Sequence, residues 1–369
     1  MSDASSCNIL VIGKTGVGKS SLLRYVFGAK CKTGTGKPVT GYGIYPYEVT
    51  VDQKKAVVSD SWGIEAGSTK EWKNLLDRAL ADHGIGKPPK DWFHAILYCI
   101  DASGSRIQKF DTDLIGMLLE SGFHLTVVLT KADLVTDSGE RQKMKTELLK
   151  AGLQSEQIVF FSSGGETRFG KTDPFGAGEL KKLMFSGWQE TIIRLLPKRC
   201  KKLLFDEIQD FSYRSKHLID ALDIAFANNQ ENMDLIRSEV KSFQRTVNQY
   251  ILPTIVNREL SACVDISYTM VDMDGRTGTS ASNVVGLHLP PTASLLLKAS
   301  LLLRALGDAV KTESLLSPDT LWEWSSTVRS RMKEYIDFIS EEMKKQYSPV
   351  EDRIREKLRD IFEEPRSEG

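Results

Sequence analysis

The segment Gly13-Lys14-Thr15-Gly16-Val17-Gly18-Lys19-Ser20 has the residue types and spacing to hold a phosphate group. It follows the apolar run Ile9-Leu10-Val11-Ile12 and precedes the helical stretch Ser20 to Val26. Strand, glycine-rich loop and helix in that order form a phosphate loop. Its glycines let successive backbone N–H groups converge on an anion, and the helix N-terminus adds partial positive charge. Lys19 is expected to reach the β- and γ-phosphates and the Ser20 hydroxyl to bind Mg²⁺.

Other segments could complete such a site. Asp60-Ser61-Trp62-Gly63 follows the run Ala56-Val57-Val58-Ser59. Asp60 there can hold Mg²⁺ through water, and Gly63 can present its N–H to a γ-phosphate while letting the next segment move. Thr130-Lys131-Ala132-Asp133 closes the run Leu125–Leu129. The Asp133 carboxylate can accept two hydrogen bonds from guanine, at N1–H and the exocyclic amine, which adenine does not offer as a pair. A site built around those bonds rejects the wrong base by on the order of 10⁴-fold. The Lys131 stem can lie over the base. Ser162-Ser163-Gly164 stands where a backbone N–H would meet guanine O6. In the loop Thr33 to Gly43 a threonine is expected to close over Mg²⁺ and the γ-phosphate. Thr40, just before the next strand, is favoured, with Thr33 and Thr35 as competitors.

The elements that must carry these residues alternate. Strand-like runs cover Asn8–Ile12, Ile44–Val51, Ala56–Asp60, Phe93–Ile100, Leu125–Thr130 and Ile158–Phe161. Amphipathic stretches lie near 20–28, 69–82, 106–121, 138–151 and 177–196. The alternation predicts an α/β domain, a mostly parallel sheet with helices on both faces, with ligands at the carboxyl ends of its strands. Most of the candidate motifs fall at such an end.

With 369 residues the chain exceeds one ordinary core, so two domains are expected, 1–196 and 197–369. Lys plus Arg and Asp plus Glu number 49 each, a zero balance that argues against a dedicated nucleic-acid binder. The five cysteines are scattered with no Cys-x-x-Cys pair, which reads as reduced thiols of a cytoplasmic protein rather than a disulfide framework. The start, Met1-Ser2-Asp3-Ala4-Ser5-Ser6, lacks the basic and apolar regions of a signal peptide. The most apolar stretch, Leu287 to Val310, is interrupted by Pro290, Pro291, Lys298 and Arg304 and fits a buried helix.

Taken together and in this order, the motifs resemble the G domain of the TRAFAC, or translation-factor, class of P-loop GTPases over about residues 7–196. Gly36-Lys37-Pro38-Val39-Thr40 and His94 to Ala102 look most like the Era, TrmE and septin branch, and within it the bacterial YfjP-type, Era-like GTPases. The resemblance implies GTP or GDP with Mg²⁺ as ligands. Phosphate binding would fall on Gly13, Lys14, Thr15, Gly16, Val17, Gly18, Lys19, Ser20 and Ser21. Mg²⁺ would go to Ser20, Thr40 and Asp60, guanine to Thr130, Lys131, Asp133, Ser162 and Ser163, and catalysis to Lys19, Thr40 and Gly63.

Two positions depart from the pattern. The residue after Gly63 is Ile64, whose side chain cannot orient water as a glutamine does there. The position where TrmE-like members carry a potassium-recruiting asparagine is Gly16. Slow hydrolysis by the isolated chain follows, with help from a homodimer through the G domain, from the second domain or from another protein.

From Pro197 only helical periodicity remains. Leu204, Ile208, Phe211, Ser215, Leu218, Leu222 and Phe226 recur at three- and four-residue spacing, as do Ile236, Val240, Phe243, Val247 and Ile251. Leu321, Trp324, Val328, Met332, Tyr335 and Ile339, then Val350, Ile354, Leu358 and Phe362, make two more stripes. Such faces predict a helical bundle. Ser294 to Leu303 reads as its central helix and Asp274 to Asn283 as an exposed loop. The function expected is a GTPase switch whose helical domain reports to a protein or ribonucleoprotein effector. A dynamin- or immunity-GTPase-like protein acting on membranes ranks second, and a GTP-bound scaffold third.

Overall fold

The computed structural model describes residues 7–29, 43–52, 54–64, 69–104, 106–167, 170–221, 229–259 and 318–363. Strands β1 (Cys7–Gly13), β4 (Ala95–Asp101) and β5 (Leu125–Thr130) are apolar and buried along nearly their whole length. Parallel strands covered by helices on both faces require that composition. With β2 (Ile44–Val51), β3 (Lys54–Ser61) and β6 (Ile158–Phe160) they form one sheet in the order β2-β3-β1-β4-β5-β6. Only the β2–β3 pair is antiparallel.

Around the sheet run α1 (Lys19–Phe27), α2 (Thr69–Asp82), α3 (Lys109–Ser121) and α4 (Ser138–Lys150). Each buries a stripe at three- and four-residue spacing: Leu22, Leu23 and Val26 in α1, Trp72, Leu76 and Ala79 in α2, Leu114, Ile115 and Leu118 in α3. Each such leucine or isoleucine contributes about 1.5–3 kcal/mol by leaving water. Under the sheet's lower edge His94 joins β1 to β4. Its Nδ1 accepts from Asn8 N–H at 2.9 Å, and its Nε2–H donates to Pro89 O at 3.1 Å. Burial pushes the His94 imidazole down to about 4, so the neutral ring is the native form. After β6 comes a short antiparallel hairpin, β7 (Gly165–Thr167) and β8 (Gly170–Thr172), which no apolar alternation in the sequence signals.

The helical reading of 177–196 is too short. Helix α5 runs from Ala177 to Ala221, 45 residues, straight through Pro197. A proline inside a helix costs about 3 kcal/mol through its missing N–H and ring clash. Leu196, Cys200, Leu204 and Ile208 lie on one stripe across it and are completely buried, which outweighs that cost. In the first half of α5 the Thr191 hydroxyl accepts from His124 N–H and donates to His94 O, both at 2.9 Å.

The chain divides into two compact units, one built mainly from residues up to Leu196 and one beginning at Pro197. In the second, the rest of α5 meets α6 (Asn229–Thr246) and α7 (Pro318–Tyr347). Phe211 stacks on Phe243 with ring centroids 4.0 Å apart, and the Tyr347 hydroxyl donates to Asn248 Oδ1 at 3.0 Å. Lys216–Asp337 and Lys333–Asp220 pairs join α5 to α7. Ile236, Val240, Phe243, Met332, Tyr335 and Ile339 are buried as their periodicity requires. In α5 the stripe turns from Leu218, which is exposed, to Ile219, which is fully buried. Ile219 lies eleven residues, three helical turns, after Ile208, and the apolar face follows that repeat. A last helix, α8, spans Val350–Glu363. Among the described residues no helix is long and apolar enough to cross a membrane. Leu287–Val310 and Asp274–Asn283 lie outside the described residues, as do Leu222 and Phe226.

Candidate functional site

β1 delivers the loop from Gly13 and α1 takes it up at Lys19, so the loop sits at the carboxyl edge of the sheet. Lys19 is 8% exposed, and its ammonium donates to the carbonyls of Gly13 at 2.9 Å and Lys14 at 3.1 Å. Burial lowers its pKa, against the opposing pull of Asp60. Asp60 arrives at the end of β3, in register with Val11 of β1. It is 1% exposed; burial pushes its carboxyl up to about 6, while the Lys19 charge pulls it down. Among the described residues, Asp60 Oδ1, Thr15 Oγ1 and Ser61 Oγ are buried without a hydrogen-bond partner. An unpaired buried polar group costs roughly 1–3 kcal/mol. Ser20 in the first turn of α1 and the Asp60 carboxylate are hard oxygen donors of the kind Mg²⁺ takes alongside phosphates and water. These residues therefore fit that ion.

The segment after β3 lies directly on the loop. Ile64 N–H donates to Gly13 O and Thr15 N–H donates to Ile64 O, both at 3.2 Å. A Cβ on Gly63 would stand 2.4 Å from Thr15 Oγ1 and 2.8 Å from Thr15 Cα, so only glycine permits this approach. The Ile64 side chain is 6% exposed and belongs to the buried apolar set. Trp62 is half-buried, and its carbonyl accepts from Trp72 Nε1 of α2 at 2.9 Å.

The loop Thr130–Asp133 follows β5. The Thr130 hydroxyl is shared between the carbonyls of Val17 and Ile100, which ties this loop to the phosphate loop. Lys131 adopts a left-handed conformation, φ 54°, at a cost of roughly 1–2 kcal/mol for a residue with a Cβ. Its ammonium pairs with Asp101 at the end of β4. Arg141 of α4 binds the turn from below, donating to Val135 O at 2.9 Å and Ala132 O at 2.6 Å. Its guanidinium also lies 5.7 Å from the ring centres of Phe160 and Phe175. The Asp133 carboxylate accepts from the Thr172 hydroxyl at 2.9 Å.

Two expected contacts are narrowed. Ser162 exchanges backbone hydrogen bonds with Phe175, both at 3.1 Å, so its N–H is committed, and of the two serines only Ser163 keeps the expected role open. Lys14 turns its ammonium away to Gln108 at 2.8 Å and Asp111 at 2.9 Å at the start of α3, so only its backbone serves the loop. A cleft bordered by Lys14, Val17, Cys99, Asp101 and Gln108 opens beside it. The structure thus gathers Gly13 to Ser20, Asp60, Gly63, Thr130, Lys131 and Asp133 at one edge of the sheet, with Ser21 exposed on α1. Thr40, with Thr33 and Thr35, lies outside the described residues. Asp101, Arg141 and Thr172 have no motif of their own in the sequence. Asp101 could have been found as the first charged residue closing an apolar strand.

Residues 8–131 match the family described as 50S ribosome-binding GTPase. They carry the phosphate loop, Asp60 to Gly63 and Thr130–Lys131, on a mostly parallel sheet: a G domain of the P-loop GTPase kind. No curated protein matches the chain. Among solved structures it is similar to a probable GTP-binding protein, EngB, with 18% identity over 50% of this chain and 100% of the other, TM-score 0.36. It is similar to Toc33 from Arabidopsis thaliana in complex with Mg²⁺ and GMPPNP, with 19% identity over 52% and 88%, TM-score 0.38. A third likeness is to Aquifex aeolicus Era bound to GDP and AlF4⁻, with 18% identity over 50% and 57%, TM-score 0.36.

Proposed function

We propose that this chain binds GTP and GDP and hydrolyses GTP to GDP and phosphate. Its G domain would cover residues 1–196. A helical domain, 197–369, would relay nucleotide state to a protein or ribonucleoprotein effector. The observation that carries the reading is the Thr130 hydroxyl shared between Val17 O and Ile100 O. It locks the phosphate loop to the loop bearing Asp133, so phosphate and base would be read at one set separation.

In this reading the loop Gly13 to Ser20, with Ser21, holds the phosphates through N–H groups other than that of Thr15, which donates to Ile64 O, and Lys19 leaves its loop carbonyls for them. Asp133 accepts from guanine N1–H and the 2-amino group, the Lys131 stem covers the base, and Ser163 N–H meets O6 beside Ser162. Ser20, Thr40 and Asp60 would hold Mg²⁺, which neutralises charge on the phosphates. Gly63 N–H faces the γ-phosphate. Ile64 offers water no hydrogen bond, so the orienting group comes from outside the loop, either from a second copy across the G domain or from a partner. The stretches Gly36 to Thr40 and His94 to Ala102 support placing the chain beside the YfjP-type, Era-like branch. The buried free thiols of Cys7, Cys99 and Cys200 support a cytoplasmic location.

GTP turnover per molecule, measured with Mg²⁺ across a wide protein-concentration range, tests the reading. Turnover that climbs with concentration assigns the missing group to a second copy. Low, flat turnover assigns it to a different partner. No guanine nucleotide binding at all would overturn the proposal.

A further inference from the structure

We propose that Thr172 of the β7–β8 hairpin is a positioning residue that sets the plane of the Asp133 carboxylate for guanine; this rests on the assignment of Asp133 to the base. A carboxylate that accepts two parallel hydrogen bonds from a base edge must lie in the plane of that base. Among the described residues, nothing within the short turn Ala132–Leu134 fixes the rotation of the Asp133 side chain. The Thr172 hydroxyl does, through its 2.9 Å hydrogen bond to Oδ2. Each carboxylate oxygen has two acceptor positions, so Oδ2 keeps one for the base and Oδ1 keeps both.

Thr172 is itself held from several sides. It stands opposite Gly165 in the hairpin register, and its hydroxyl lies 3.2 Å from Gly165 O. Gly164, at φ 69°, lies against the returning strand, where a Cβ would come 2.8 Å from Thr172 O and 3.0 Å from Pro174 N. Three residues on, Phe175 exchanges backbone hydrogen bonds with Ser162, and its ring lies under the Arg141 guanidinium that also binds Ala132 O. The foot of the hairpin and the turn carrying Asp133 therefore share one clamp. The hydroxyl of Ser162 accepts from Gly164 N–H at 3.0 Å, which ties the start of the hairpin to the same loop.

The test is equilibrium binding of GDP and IDP, with Mg²⁺, by full-length wild type, Thr172→Val and Thr172→Ser. IDP lacks the 2-amino group, and a carboxylate free to rotate keeps one hydrogen bond to N1–H but not two. Thr172→Val is expected to weaken GDP binding about five- to tenfold, with IDP affinity nearly unchanged. Thr172→Ser keeps the donor and is expected to stay within about twofold of wild type for both. Equal weakening of GDP and IDP by Thr172→Val would mean general loosening of the hairpin and overturn the proposal. So would an unchanged GDP affinity, or tighter GDP binding, which would make the hydroxyl a competitor for the base. If wild type itself binds GDP no better than IDP or ADP, the assignment of Asp133 falls, and the proposal with it.

Discussion

The two ends of the site are built on opposite principles. At the phosphate end polar atoms are gathered and left unpaired: Thr15 Oγ1, Asp60 Oδ1 and Ser61 Oγ have no partner among the described residues, and Lys19 is folded back on loop carbonyls. At the base end the polar groups are paired. Lys131 is held by Asp101, Asp133 by Thr172, and the turn carbonyls by Arg141. The phosphate end stores desolvation cost that a charged ligand would relieve, so its binding strength would come from satisfying buried charge. The base end is organised beforehand, so it would contribute selectivity at little ordering cost.

The sharpest way to break this contrast is Lys19→Ala. It removes the buried cation that balances Asp60, and single-turnover GTP hydrolysis is expected to fall by on the order of 10³-fold. A fall of tenfold or less would mean the phosphate end draws its charge balance from elsewhere. At the other end, Asp133→Asn should lower GTP affinity by on the order of 10²-fold and raise XTP affinity, because xanthine presents an acceptor where guanine presents an amine. Retained preference for GTP in a competition assay would place the base elsewhere.

Acid should act on both ends together, since His94 joins the strands beneath them. Its folded pKa of about 4 lies below the unfolded value near 6.5. The neutral ring therefore contributes its stability in full above about pH 6.5. That stability is lost progressively as pH falls to about 4, for a total of about 3 kcal/mol. Protonation at Nδ1 would oppose the Asn8 N–H that now donates to it. Urea unfolding at a series of pH values checks this, and His94→Gln should flatten the slope in that window. An identical slope in His94→Gln would assign the acid sensitivity to carboxylates. The smallest effect is expected from Arg141→Met, which keeps the stem but removes the charge-assisted donors under the base turn. GDP affinity should fall about three- to tenfold, with the rate of the chemical step unchanged. An effect on that rate instead would dissolve the distinction between the ends.

Much of the G domain was legible because its signals are local. The strand reading Ile44–Val51 coincides with β2, and Leu125–Thr130 with β5. Phe93–Ile100 is displaced from β4 by a residue or two, as strand ends commonly are. The hairpin Gly165–Thr172 was missed because its glycines, threonines and lysine carry no apolar alternation. Its pairing depends on Phe175 returning to Ser162. The end of the helix at 196 was misread because Pro197 is a strong local stop, whereas burial of Leu196, Cys200 and Leu204 is a tertiary gain. Leu218 fell outside the core for a similar reason, since a stripe of leucines does not say which neighbouring helix it will meet.

By itself the sequence determined the kind of site. Glycines spaced for a phosphate loop, an aspartate after an apolar strand and a threonine-lysine-aspartate set depend only on chain chemistry and short-range geometry. Tertiary structure alone decided how those groups are supported. It placed Asp101 beside Lys131, set Thr172 against Asp133 and committed Ser162 to Phe175. These pairings join residues 13 to 39 positions apart. Packing and hydrogen-bond satisfaction across the sheet's edge select such distant partners, and no local propensity encodes them.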